Sequence, residues 1–266
     1  MRLVLGIEYD GTGFSGWQSQ PGTRTVQGVV EQAIAEVADH PIALVCAGRT
    51  DAGVHALEQV AHFETRSQRP ERAWTLGVNS KLPSDVSIVW ARTAPPDFHA
   101  RFAARSRSYC YWIMNSPLRP ALLRSRAWWV RRPLDATLMD EAARVLMGAH
   151  DFSAFRAAQC QAKSALRTVS DISVIREGQL LRLDITANAF LHHMVRNIVG
   201  TLVVVGRGDA SPEWVDEVLR GADRRAAGAT AAACGLYLRR VEYPDFPDRP
   251  EAAPDEVILP TTGAKS

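Results

Sequence analysis

Apolar and polar residues alternate over residues 3–9 and stop at Asp10-Gly11-Thr12-Gly13, which predicts a strand entering a glycine-rich turn. From Val26 the period changes. Val26, Val29, Val30, Ala33, Ile34 and Val37 recur at helical spacing between a capping Thr25 and the stop Asp39-His40-Pro41. An apolar run over residues 42–47 and an alternating run over 59–64 predict two more strands, and Gly48 and Gly53 bracket a short irregular loop between them. That loop presents Arg49-Thr50-Asp51 on a strand-to-strand connection. Pro70 opens a helical stretch through Trp74, Leu76 and Val78, and residues 85–91 read as a strand. The first half therefore runs strand, helix, strand, strand, helix, strand.

Pro95-Pro96 marks a joint, after which residues 101–115 predict a basic, aromatic strand with Tyr109, Tyr111 and Ile113 on one face. An amphipathic helix over 134–147 ends at Gly148, a loop covers 151–155, and residues 168–175 and 179–186 form a hairpin about Glu177-Gly178. N-A-F-L-H-H-M-V-R-N-I-V-G-T-L, from residue 188, reads as an apolar helix with Arg196 as its one charge. A short helix follows Ser211-Pro212, and residues 235–243 make a last strand. Beyond Pro244 prolines and charges prevail, which predicts a flexible tail. The expected division is 1–100, 101–245 and a tail over 246–266.

Composition, with 46% hydrophobic and 23% charged residues in a chain of 266, allows one large core or two modest halves packed together. The longest apolar run in the second half, 198–205, is far short of the roughly 20 residues that cross a bilayer, and an acid arrives too early in the chain for a secretory core. A cytoplasmic protein without membrane contact is expected. Cysteines at 46, 110, 160 and 234 form no C-x-x-C pair and read as reduced thiols. His192 and His193 would point apart on any regular element, so capping or structural roles are expected, and no metal. No G-K-[ST] follows the first glycine cluster, which argues against nucleoside triphosphate binding.

Net charge is only +2, yet it is segregated. Residues 97–132 carry eight arginines against one acid, 8 − 1 = +7, while residues from 241 onward carry two bases against six acids, 2 − 6 = −4. A basic stripe of this kind suits a polyanion. Arginines interleaved with aromatics suit RNA in particular, since guanidinium groups engage phosphate and flat rings stack on unpaired bases. Arg101, Arg105 and Arg107 are the candidate contacts. Arg49, two residues before Asp51, would favour the ionised acid and keep it available as a nucleophile or base. Arg196, set in an apolar helix, calls for a partner, because an unpaired buried charge is very costly.

A lone G-R-T-D would be an ordinary turn. The whole block A-G-R-T-D-A-G-V-H, however, resembles the signature of the tRNA pseudouridine synthase A family, as do Y-D-G-T-G-F-S-G-W-Q-S-Q, the strand around Arg107 and Tyr109, the Arg196 helix and G-L-Y-L-R-R-V-E-Y. The resemblance implies an α/β (α+β) fold of two related halves, each a mainly antiparallel sheet with helices packed on one side, flanking a basic central cleft, and an active homodimer. It implies isomerisation of uridine to pseudouridine in the anticodon stem-loop of tRNA, at positions 38–40, with Asp51 catalytic, Tyr109 on the target base and Arg196 paired with Asp51. Arg49 could fill the space left by the flipped base. Nothing is oxidised, reduced or hydrolysed, so neither cofactor nor metal is expected. Attack on the sugar, attack on the base and removal of a sugar proton are all open to such a carboxylate. The stretch C-Q-A-K-S-A-L-R-T departs from the commoner family form near Ala165 and Leu166, so RNA contacts there are not carried over. A non-catalytic RNA-binding protein would explain the basic strand but has no use for Asp51. A glycosidase-like enzyme would explain Asp51 but wants a second carboxylate.

Overall fold

In the computed structural model, which describes residues 1–244 and Phe246, the chain opens with β1 (Arg2–Tyr9) and α1 (Val26–Ala38). Thr25 caps α1 as its position predicts, its hydroxyl accepting from the Gly28 amide at 3.3 Å, and Asp39 ends the helix in the left-handed conformation at φ 59°. Of the apolar run over 42–47 only β2 (Val45–Cys46) is strand; β3 (His55–Glu64) follows the Asp51 loop. The helical stretch after Pro70 widens into a π turn over Ala73–Gly77 and leads to β4 (Val86–Ala94).

The second half contains β5 (Ser106–Asn115), β6 (Trp128–Val130), α2 (Ala136–Arg144), β7 (Gly148–Asp151), β8 (Leu166–Glu177), β9 (Leu180–Ala187), α3 (Met194–Gly206), α4 (Trp214–Gly221) and β10 (Leu236–Glu242). Two differences from the sequence reading matter. β7 takes up residues expected to end a helix and form a loop. More consequentially, α3 begins at Met194 and not at residue 188, because His193 sits at φ 62°, a left-handed conformation that cannot continue a right-handed helix.

All these strands belong to one sheet. Its order is β4-β1-β3-β10-β5-β9-β8-β7, with β2 added on β3 and β6 on β5. The strands of the two halves therefore share a single sheet, and the last strand among the described residues is the seam. β10 pairs antiparallel with β5 but parallel with β3, in register only at Tyr237 with His55 and Leu238 with Ala56. Residues alternate across β5: Tyr109, Tyr111 and Ile113 join the large core, while Cys110 and Trp112 turn to the opposite face and pack with Ala127 and Tyr237. Tyr111 is fully buried, as a core position requires, and its hydroxyl donates to the Ala232 carbonyl at 2.6 Å.

α3 packs closely on the chain before β10. A Cβ at Gly200 would lie 1.7 Å from the Ala229 carbonyl oxygen, so a residue that costs a helix about 1 kcal/mol relative to alanine is required here by proximity. Among the described residues no helix is long and apolar enough to cross a membrane. The tail expected from residue 246 begins differently: Phe246 is buried, with its ring 5.2 Å from Phe98 and 6.2 Å from Trp90. The remainder of that tail lies outside the described residues.

Candidate active site

The loop carrying Asp51 is anchored along its length. The Ala47 amide donates to Val60 O at 2.8 Å, and the Gln59 amide group donates to Gly48 O at 2.5 Å. Thr50 is buried, its hydroxyl 2.7 Å from that of Tyr9 and its carbonyl accepting from the Trp17 amide at 3.0 Å. The second contact depends on Gly16 at φ 90°, where a Cβ would come within 2.8 Å of Thr50 O. Thus β1 and the opening block Y-D-G-T-G-F-S-G-W hold the loop from beneath. Burial pushes the Cys46 thiol up to about 11, so it is protonated and inert beside the loop.

Asp51 itself is partly open, its side chain 26% exposed. Arg196 reaches it from the first turn of α3: Nη1 donates to Oδ2 at 3.1 Å while Nε donates to the Ala231 carbonyl at 2.8 Å. One planar guanidinium thus fixes the carboxylate against the segment that Gly200 admits and Tyr111 secures. His192 Nε2 lies 3.2 Å from Oδ1 and His193 Nε2 lies 3.2 Å from Oδ2. Burial holds the His193 pKa below its ordinary value against the pull of the Asp51 charge. His193 is therefore neutral near neutral pH. The His192 backbone is held too, its carbonyl accepting from the Ala157 amide at 3.0 Å and its amide donating to Cys160 Sγ at 3.5 Å.

The two histidines are the residues that sequence reasoning missed. Periodicity assumes a regular element, whereas the left-handed turn at His193 swings both imidazoles, with ring centroids 4.0 Å apart, onto one carboxylate. Their place three and four residues before Arg196 was the available signal. Asp51, His192 and His193 bring three possible ligand atoms within 4.8 Å of one another. The Arg196 guanidinium lies on the same carboxylate oxygen as His193, so the chain itself supplies the cation that Asp51 faces.

Arg49 departs from expectation. It is exposed and makes no ion pair with Asp51 among the described residues, because closeness along an irregular loop sets no common direction for two side chains. Tyr109 stands beside the Asp51 loop: its ring packs edge-on against Phe190 at 5.0 Å, and its hydroxyl is 4.0 Å from where a Cβ on Gly48 would stand. Burial, with the Asp51 charge adding to it, pushes the phenol well above its ordinary pKa, so the hydroxyl is neutral.

The candidate phosphate contacts divide. Arg101 and Arg105 are exposed, but Arg107 is buried and its guanidinium donates to four carbonyls: Ala104 at 3.2 Å, Asn188 at 2.9 Å, Ala47 at 3.0 Å and Arg101 at 2.7 Å. The expected role of Arg107 in binding RNA is therefore corrected to that of an internal strut. Elsewhere in the basic segment Arg126 pairs with Asp10 and Arg132 with Asp209. Arg101, Arg105, Arg119, Arg124 and Arg131 stay exposed and carry no ion pair among the described residues.

A family model described as tRNA pseudouridine synthase matches residues 6–103 and 142–244. The tRNA pseudouridine synthase A of Pseudomonas aeruginosa is 53% identical over 251 residues, which cover 94% of this chain and 88% of that one. The enzyme of the same name from Methylococcus capsulatus is 55% identical over 245 residues, covering 92% and 90%. That of Aromatoleum aromaticum is 56% identical over 243 residues, covering 91% and 92%.

Proposed function

The chain belongs to the tRNA pseudouridine synthase family, and from that premise we propose that it isomerises uridine to pseudouridine in the anticodon arm of tRNA, with Asp51 as the catalytic residue. The observation that carries this assignment is a solvent-reachable carboxylate fixed by Arg196 and two imidazoles on an anchored loop beside Tyr109. Such a carboxylate is aimed and pre-oriented before substrate arrives, which is how positioning lowers a barrier. In the reaction the bond from sugar to ring nitrogen breaks, the base turns, the sugar rejoins it at carbon, and the proton on that carbon is lost while the nitrogen regains one. Asp51 serves at the electron-poor anomeric carbon, at the base or at a sugar proton. His192, His193 and Arg196 are positioning residues that act through Asp51. Arg49, free of Asp51 and exposed, is available to occupy the gap left in the stack by the flipped nucleotide. Release of tritium from [5-³H]uridine-labelled tRNA tests the reading, because only the isomerase liberates the hydrogen at that carbon; no release with bound tRNA would leave a binding protein.

Tyr109 packs on the flipped base and offers its neutral hydroxyl as a proton carrier. Tyr109→Phe keeps the ring against Phe190, so tRNA affinity should stay within about two-fold while the single-turnover rate falls by about 10²-fold, the scale of general acid–base assistance. Tyr109→Ala should lose both. Wild-type rates in both variants would make Tyr109 a packing residue only.

The active form is a homodimer in this reading, as in the resemblance from which it comes. Sedimentation at assay concentration should give twice the chain mass, and a fully active monomer would refute the pairing.

A further inference from the structure

Phe102 is 75% exposed on a segment that is otherwise held fast. Phe98 and Ala100 beside it are buried; the Ala100 amide donates to His62 Nδ1 at 3.2 Å, and its carbonyl accepts from the Tyr243 hydroxyl at 2.6 Å. His99 Nδ1 accepts from the amides of Arg101 and Phe102 at 3.2 and 3.3 Å, and the Ala103 amide closes the turn on the His99 carbonyl at 2.9 Å. That arrangement lays the imidazole on Phe102, centroids 4.3 Å apart and planes 29° off parallel. The Arg101 guanidinium carbon stands 5.6 Å from the Phe102 ring centre. Phe102 is thus a ring whose plane is set in advance, on a turn with buried footings.

The turn is also tied to the Asp51 loop. Arg107 Nη2 holds both the Arg101 carbonyl and that of Ala47, the residue leading into Gly48 and Arg49. A pre-set aromatic face flanked by the exposed Arg101, coupled to a catalytic loop, fits a flat ring joined to an anion.

We infer that Phe102, backed by His99 and flanked by Arg101, is a stacking platform for an unpaired nucleobase neighbouring the target uridine. This rests on the reading of the chain as a tRNA-modifying enzyme. A base within a stem has no face to offer, whereas any unpaired base does, so the platform selects single-stranded loop without selecting sequence.

The test uses the full chain and an anticodon-arm hairpin, intact or with one loop nucleotide at a time made abasic. For the wild type, one abasic position other than the target should weaken binding on the order of ten-fold, the low end of what a lost stack costs. Phe102→Ala should weaken binding to the intact hairpin by a similar factor and become indifferent to that abasic position, with Phe102→Trp restoring both. The plot of log affinity against log salt should keep its slope, since no phosphate contact is removed. Wild-type affinity in Phe102→Ala, with tritium release intact, overturns the platform and leaves the enzymatic reading standing. Loss of self-association in that variant, with the abasic penalty unchanged, assigns the ring to a second copy of the chain and equally overturns it. Wild-type protein that binds no hairpin and releases no tritium removes both readings.

Discussion

Asp51→Asn should abolish pseudouridine formation, lowering the single-turnover tritium-release rate on the order of 10⁴-fold or more, as for groups whose partners act only through them. The substitution keeps the volume and planar shape of the side chain. Arg196 retains its bond to the Ala231 carbonyl, and the loop keeps its anchors at Ala47, Gly48 and Thr50. A thermal melt should therefore shift little, or upward, because a carboxylate kept open for chemistry is not tuned for stability. Affinity for tRNA should persist or rise, since a negative charge is removed from a surface that receives a polyanion. Among the described residues no other carboxylate joins Asp51, His192 and His193: Asp10 is engaged with Arg126, and Glu58 is buried within β3. Turnover by Asp51→Asn at a substantial fraction of the wild-type rate would reduce the loop to a binding element.

Arg107→Met should act on folding and not on RNA binding. Its guanidinium satisfies four carbonyls drawn from the Asp51 loop, the Phe102 turn and the chain after β9. Methionine fills much of the space but donates nothing, and a buried carbonyl left without a donor costs about 1–3 kcal/mol. With water reaching some of them, a loss of about 3 kcal/mol is expected, which for a domain of this size lowers the melting temperature by roughly 10 °C. Arg101→Ala combined with Arg105→Ala makes the contrast. Both side chains are exposed, so the melt should not move, while the slope of log affinity for tRNA against log salt should shrink by about one to two. An unchanged melt together with a flattened salt plot in Arg107→Met would return that residue to the RNA surface.

Much of this architecture was legible in the chain. α1 shows its apolar stripe and its Thr25 cap, the alternation of β1 and β5 is plain, and Arg196 stands out as a charge that needs a partner. What stayed hidden has physical reasons. Arg107 looks like its neighbours in a basic run, because bonds to backbone carbonyls leave no mark in side-chain identity. His192 and His193 converge through one left-handed residue, which no periodic template contains. Arg49 and Asp51 lie close in sequence on a loop whose irregular backbone parts them. The parallel contact of β10 with β3 joins residues far apart in the chain, and two registered positions leave no pattern to read.

That seam bears on how the chain is made. Until β10 has emerged from the ribosome, β3 and β5 each lack a neighbour, and the segment that braces Arg196 has nothing to follow it into the sheet. The nascent protein then displays two open strand edges, templates for pairing with other chains. Closing the sheet waits for the longest-range contact in the topology, which is also the slowest kind to form. A ribosome that stops short of residue 236 would release a chain that holds every active-site residue and every described helix but leaves the sheet between them unclosed, with a strong tendency to aggregate.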